Sequence, residues 1–66
     1  MKAHSTQQVN RHIKHLNVML IRGEGYCYFL DTYTLLQVGE SVMTPYISNL
    51  SIEQWVQEAQ FARNHK

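Results

Sequence analysis

A single cysteine, Cys27, in a chain of 66 residues excludes any disulfide within the chain. A domain of this length buries only about 60% of the surface its unfolded form exposes. Folds this small usually lean on disulfides, a metal, very regular packing or a partner subunit. Without a crosslink, the chain must be specified by the spacing of its apolar residues. The composition permits this, since 44% hydrophobic and 17% charged residues are ordinary for a folded domain and wrong for a disordered one. One domain covering residues 1–66 is expected. A lone thiol fits a reducing compartment better than a secreted one. The longest aliphatic run, Val18 to Ile21, is too short to cross a bilayer, and no signal-peptide pattern is present. No membrane association is expected.

Apolar spacing places a helix at each end of the chain. Val9, Ile13 and Leu16 recur at intervals of four and three, which predicts a helix from Ser5 or Thr6 to about Leu16. Ser5 is suited to its N-cap, and Asn17 to the left-handed position after its last turn. The second helix has stronger boundary signals. Ser51 and Gln54 have capping-box spacing, and Leu50 and Trp55 stand at the staple positions. Ile52, Trp55, Val56, Ala59 and Ala62 then form one apolar stripe. Glu53 in the first turn and Arg63, His65 and Lys66 at the end suit the two poles of the helix dipole.

Between the helices the residues favour strands. Val18 to Ile21 is a β-rich run, and Tyr26 to Leu30 is crowded with aromatic side chains. Gly23-Glu24-Gly25 lies between them and reads as a hairpin or bend. A third strand is expected from Leu35 to Val38 or from Ser41 to Thr44, with Gly39-Glu40 as a turn and Pro45 as a stop. The predicted class is α+β, in the order α-β-β-(β)-α. Two helices would pack on one face of a small antiparallel sheet of two or three strands.

The segment RGEGYCYF, Arg22 to Phe29, invites two functional readings, and the residues argue against both. It approaches the signature strand of an RNA-binding sheet domain, Lys/Arg-Gly-Phe/Tyr-Gly/Ala-Phe-Val-x-Phe/Tyr. Glu24, however, stands where a ring should stack on a base, and its carboxylate repels phosphate. A phosphate-binding glycine loop needs a third glycine and a helix that starts at the loop, whereas Tyr28 and a strand follow here. The glycines are read as hairpin residues.

RGEGYCYF, together with Ser41-Val42-Met43 and the LSIEQW segment from Leu50 to Trp55, resembles a family of short phage- and prophage-type proteins. That family carries a Gly-x-Gly-Tyr-x-Tyr-Phe strand and a Leu-x-x-x-x-Trp helix start. The likeness covers roughly residues 20 to 57 and leaves out most of the first helix. It implies a phage or mobile-element origin and the fold; taken with the lone thiol and the lack of a signal-peptide pattern, the expected place of action is the cytoplasm of a host cell. The likeness brings no catalytic residue.

Candidate chemistry is sparse. His12 and His15 are spaced to share a metal, with His4 upstream, but no carboxylate or thiol lies near them in sequence. Cys27 sits inside an aromatic strand, where inert buried cysteines are the rule. No catalytic residue, metal or cofactor is expected, and the chain is not expected to be an enzyme. The charges are segregated: residues 1–23 hold Lys2, Arg11, Lys14 and Arg22 without an acid, and residues 24–62 hold five acids without Lys or Arg. The net charge is only +1, unlike a typical polyanion binder.

Tyrosines are the remaining signal. Strand alternation puts either the Tyr26/Tyr28 row or the Cys27/Phe29 row outward, and the phenols fit the outer side better. Tyr26, Tyr28, Tyr33 and Tyr46 are the candidate partner-binding residues, because exposed tyrosines are enriched in protein interfaces. The leading expectation is a non-catalytic protein that binds a host protein or protein complex, such as an anti-CRISPR-like inhibitor of a bacterial defence system. Self-association as a homodimer belongs to this reading. The alternative is a small nucleic-acid-binding regulator that uses Arg11, His12, Lys14 and His15 against phosphates.

Overall fold

The computed structural model describes residues 2–64. The order of elements is a helix α1 (Thr6–Ile13), strands β1 (Val18–Arg22), β2 (Cys27–Asp31) and β3 (Gln37–Val42), and a helix α2 (Ile52–Asn64). The strands pair antiparallel in the order β1-β2-β3. The α+β class and the order α-β-β-(β)-α read from the sequence are those of the structure, which has the third strand.

Local signals account for the boundaries. Ser5 accepts a hydrogen bond from the backbone N–H of Gln8 and caps α1. The helix tightens into a 3-10 turn at Lys14–Leu16, and Asn17 then reverses the chain in the left-handed conformation, at φ 59°. The hairpin between β1 and β2 closes with Gly23 N–H donating to the carbonyl of Tyr26 at 2.8 Å. Gly25 holds φ 79°, which a glycine adopts without steric cost. At α2 the capping box is complete: Gln54 N–H donates to Ser51 Oγ at 3.1 Å, and Ser51 N–H donates to Gln54 Oε1 at 2.9 Å. Of the basic residues expected at the C-terminal end of this helix, Arg63 is in place, while His65 and Lys66 lie outside the described residues.

The third strand departs from expectation. Gly39-Glu40 is no turn, and β3 runs straight through it, joining parts of both segments proposed for the strand. Val38 pairs with Phe29 and Val42 with Cys27, so β3 spends two more residues than β2 between the same points. That is a bulge, which glycine in a strand often marks. Gly39 takes φ +68°, and a Cβ built on it would lie 2.7 Å from both Cα and Cβ of Ala62. The glycine is therefore where α2 comes down onto the sheet.

Both helices cover the same face. Val18 and Leu20 of β1 and Cys27 and Phe29 of β2 point into a core with Val9, Ile13, Ile52, Trp55, Ala59 and Ala62. Trp55 is fully buried at its centre, edge-on to Phe29, and its Nε1–H donates to the carbonyl of Ile47 at 2.9 Å. At the rim, Arg63 of α2 bonds Asp31 at the end of β2 at 2.7 Å.

Candidate protein-binding face

Strand alternation turns the remaining residues to the side that carries no helix. Met19 lies opposite Leu30, and Ile21 opposite Tyr28, across the β1–β2 ladder. Each of these four is half-buried, a consequence of mutual packing on a pleated surface. Tyr26 extends the row at the hairpin end, its ring centroid 5.8 Å from that of Tyr28 at a 30° tilt. The Tyr26 ring lies over Gly23, where a Cβ would come within 2.7 Å of Cζ. Glycine at position 23 thus lets the ring lie down against the hairpin. On β3, Gln37 Nε2 donates to Ser41 Oγ at 3.3 Å and closes the far side with neutral polar groups.

No residue in these rows is charged. Alternation places Arg22 and Asp31 in the inward rows with Leu20 and Phe29, and the carboxylate of Asp31 is taken up by Arg63. Asp31 Oδ1 also accepts from the backbone N–H groups of Tyr33 and Thr34, at 2.8 and 3.1 Å. These two bonds first, and then the Arg63 guanidinium, hold its carboxyl below the usual range.

The four tyrosines do not form one patch. Tyr26 and Tyr28 are brought together on the uncovered face, as the outward-row expectation requires. Tyr33 is 79% exposed in the turn after β2, and Tyr46 is 58% exposed after β3. Because β2 and β3 run antiparallel, those two positions lie at opposite ends of the sheet. Met19, Ile21 and Leu30 complete the face and were not among the sequence candidates. Their signal was present in the alternation of β1, which leaves Met19 and Ile21 on the side away from Val18 and Leu20.

Arg11, His12, Lys14 and His15 are all exposed. Arg11 and Lys14 share a hollow of about 420 Å³ with Met19 and Thr32 beside β1, and the two histidines lie outside it. Among the described residues no group of three His, Cys, Asp or Glu side chains converges as metal ligands would. Cys27 is fully buried, and its thiol donates to the carbonyl of Thr44 at 3.6 Å. Burial pushes that thiol up, against a smaller opposing pull from Arg22, so it is a poor nucleophile.

One residue that matters for exposure escaped the sequence reading. Asn10 of α1 accepts from Leu20 N–H at 2.6 Å, and its Nδ2 faces the Leu20 carbonyl at 3.5 Å. Its carboxamide thus occupies the outer edge of β1 as a neighbouring strand would. An asparagine beside the apolar positions of a helix, where its propensity is poor, is the only hint in the sequence. No helix among the described residues is long and apolar enough to cross a membrane. Compared with family models, curated protein sequences and solved structures, the chain matches none.

Proposed function

We propose that this protein acts by contact and without catalysis, binding another protein through the uncovered face of its sheet. The carrying observation is that face itself: Met19, Ile21, Tyr28 and Leu30 with Tyr26, no charge among them, turned away from the helix-covered core and bordered by Arg11 and Lys14 of α1 only at Met19. Its groups are aliphatic side chains, a thioether and phenols. They supply contact area and hydrogen bonds at small entropic cost, as interface residues do. Its partner, on this reading, is a host protein or protein complex. The likeness to short phage-type proteins points the search to bacterial defence effectors, which an anti-CRISPR-like inhibitor would occupy. The size of the face favours a partner that reaches past the sheet. Strands about 4.8 Å apart and five residues long present on the order of 250 Å², against about 800 Å² per partner in a stable complex.

The test is site-specific photocrosslinking in the natural host, with the photoreactive residue at Tyr28, at Ile21 or, as control, at Gln57 on α2. The reading predicts one protein captured from positions 21 and 28 and not from 57. Capture of nucleic acid instead, abolished by Arg11→Glu with Lys14→Glu, would move the function to the basic end of α1.

A further inference from the structure

A second surface, on the helix side of the molecule, differs in kind from the sheet face. It follows the outer side of β3, whose far edge pairs with no described strand. The two edges of the sheet are treated differently. Asn10 closes the edge of β1, while that of β3 opens into a hollow of about 840 Å³. Leu36 and Val38 line one wall of this hollow and Phe61 of α2 the other. A smaller hollow of about 290 Å³ adjoins it through Glu40 and Phe61 and runs on to Met43. Leu36, Met43 and Phe61 are 68%, 80% and 58% exposed, a dense group of large apolar side chains for so small a chain.

The charges of the groove are unequal. Asp31 and Arg63 stand at one end and satisfy each other. Glu40 and Glu58 line the rest, and among the described residues neither is joined to a cation. The groove is therefore apolar with a net negative charge. Antiparallel pairing of β3 with its own copy would set two grooves of net negative charge side by side, which like charge opposes. Docking the basic end of α1 of a second copy into the groove would be head-to-tail and would not close.

We propose that this groove receives an extended segment of a partner protein, with apolar side chains at alternate positions and Lys or Arg among the others. In an antiparallel ladder every second residue turns its N–H and C=O to the free side, which provides backbone partners at the Gln37–Val38 end. The alternate apolar side chains would enter the hollows around Phe61, and the cations would meet Glu40 and Glu58. The bulge at Gly39 limits the added strand to a short one.

Selection of a random library of short linear peptides on the immobilised protein tests this. Representative synthetic peptides are then titrated against the labelled protein, with amide shifts followed by NMR. Alternating apolar and basic sequences are expected, with shifts concentrated at 36–40 and at Phe61. Phe61→Glu and Leu36→Glu should each weaken binding roughly tenfold or more, as loss of an anchor does, with melting unchanged. Glu40→Lys with Glu58→Lys should turn the preference to acidic peptides. Tyr28→Ala should leave peptide affinity alone, which separates this groove from the sheet face. The proposal fails if no peptide is selected, if the selected peptides lack basic residues, or if their shifts fall elsewhere. It fails equally if the parent self-associates and Phe61→Glu abolishes that association.

Discussion

Trp55 concentrates the stability of this small core in one side chain. It is fully buried, touches Phe29 edge-on and satisfies the Ile47 carbonyl with its indole N–H. Trp55→Ala should cost about 3–5 kcal/mol, a large share of the roughly 3–10 kcal/mol that holds a chain of this length folded. Trp55→Phe keeps much of the volume but removes the shorter of the two hydrogen bonds to that carbonyl, leaving the one from Leu50 N–H at 3.4 Å, and should cost less while remaining measurable by urea unfolding. A Trp55→Ala protein that melts like the parent would place the ring at the surface. Asp31 acts through charge instead. Its carboxyl is held below the ordinary range in the folded state, so it stabilises the fold above its unfolded value. That stabilisation is lost as pH falls through the lower, folded value, which puts the loss below about pH 4. In Asp31→Asn, Oδ1 can still accept from Tyr33 and Thr34, but the charge facing Arg63 is gone. Its melting temperature should be lower at neutral pH and flatter than the parent's below pH 4. Parallel profiles would show that Asp31 contributes nothing to acid sensitivity.

Helix α2 and strand β3 are joined at one point of close approach, and that contact governs the shape of the groove. Gly39 meets Ala62 where no Cβ fits, and does so at a positive φ. Gly39→Ala combines a steric clash with backbone strain and should destabilise by more than about 1 kcal/mol in chemical denaturation. Gly25→Ala has the positive φ but open space around its Cβ, and should cost less. Equal losses would mean that the approach of the helix is not limited by Gly39. The N-terminal cap of α2 was legible because a capping box is written in four consecutive residues and depends on nothing distant. The bulge of β3 was not. A Gly-Glu pair between two apolar segments has the same local chemistry whether the chain turns there or stays in register under a helix.

For the whole molecule, the arrangement leaves a charge-free face on one side of the sheet and an acidic apolar groove on the other. Self-association through the sheet face would be symmetric and free of charge repulsion, yet small in area, so a homodimer formed this way should be weak. Light scattering across a concentration series should show association only at the high end, reduced by Tyr28→Ala or Ile21→Ala at unchanged melting temperature. A stable dimer that persists on dilution and survives both substitutions would locate the contact elsewhere. Unfolding of both variants would make the row part of the core.

The helices, their N-caps, the first hairpin and the apolar stripes of the two helices follow from spacing and from interactions between near neighbours, and these were readable from the residues in order. So was the grouping of Tyr26 with Tyr28 in one row, because alternation with period two fixes which side chains travel together, while the side on which the helices pack decided which row faces outward. The company those tyrosines keep was not readable. Tyr33 and Tyr46 look equivalent to them as residues, yet antiparallel pairing of β2 and β3 carries them to opposite ends of the sheet. Asn10 at the edge of β1 and Phe61 beside β3 acquire their roles from elements 10 or more positions away. Such contacts depend on where helices land on the sheet, a property of packing that no local pattern records.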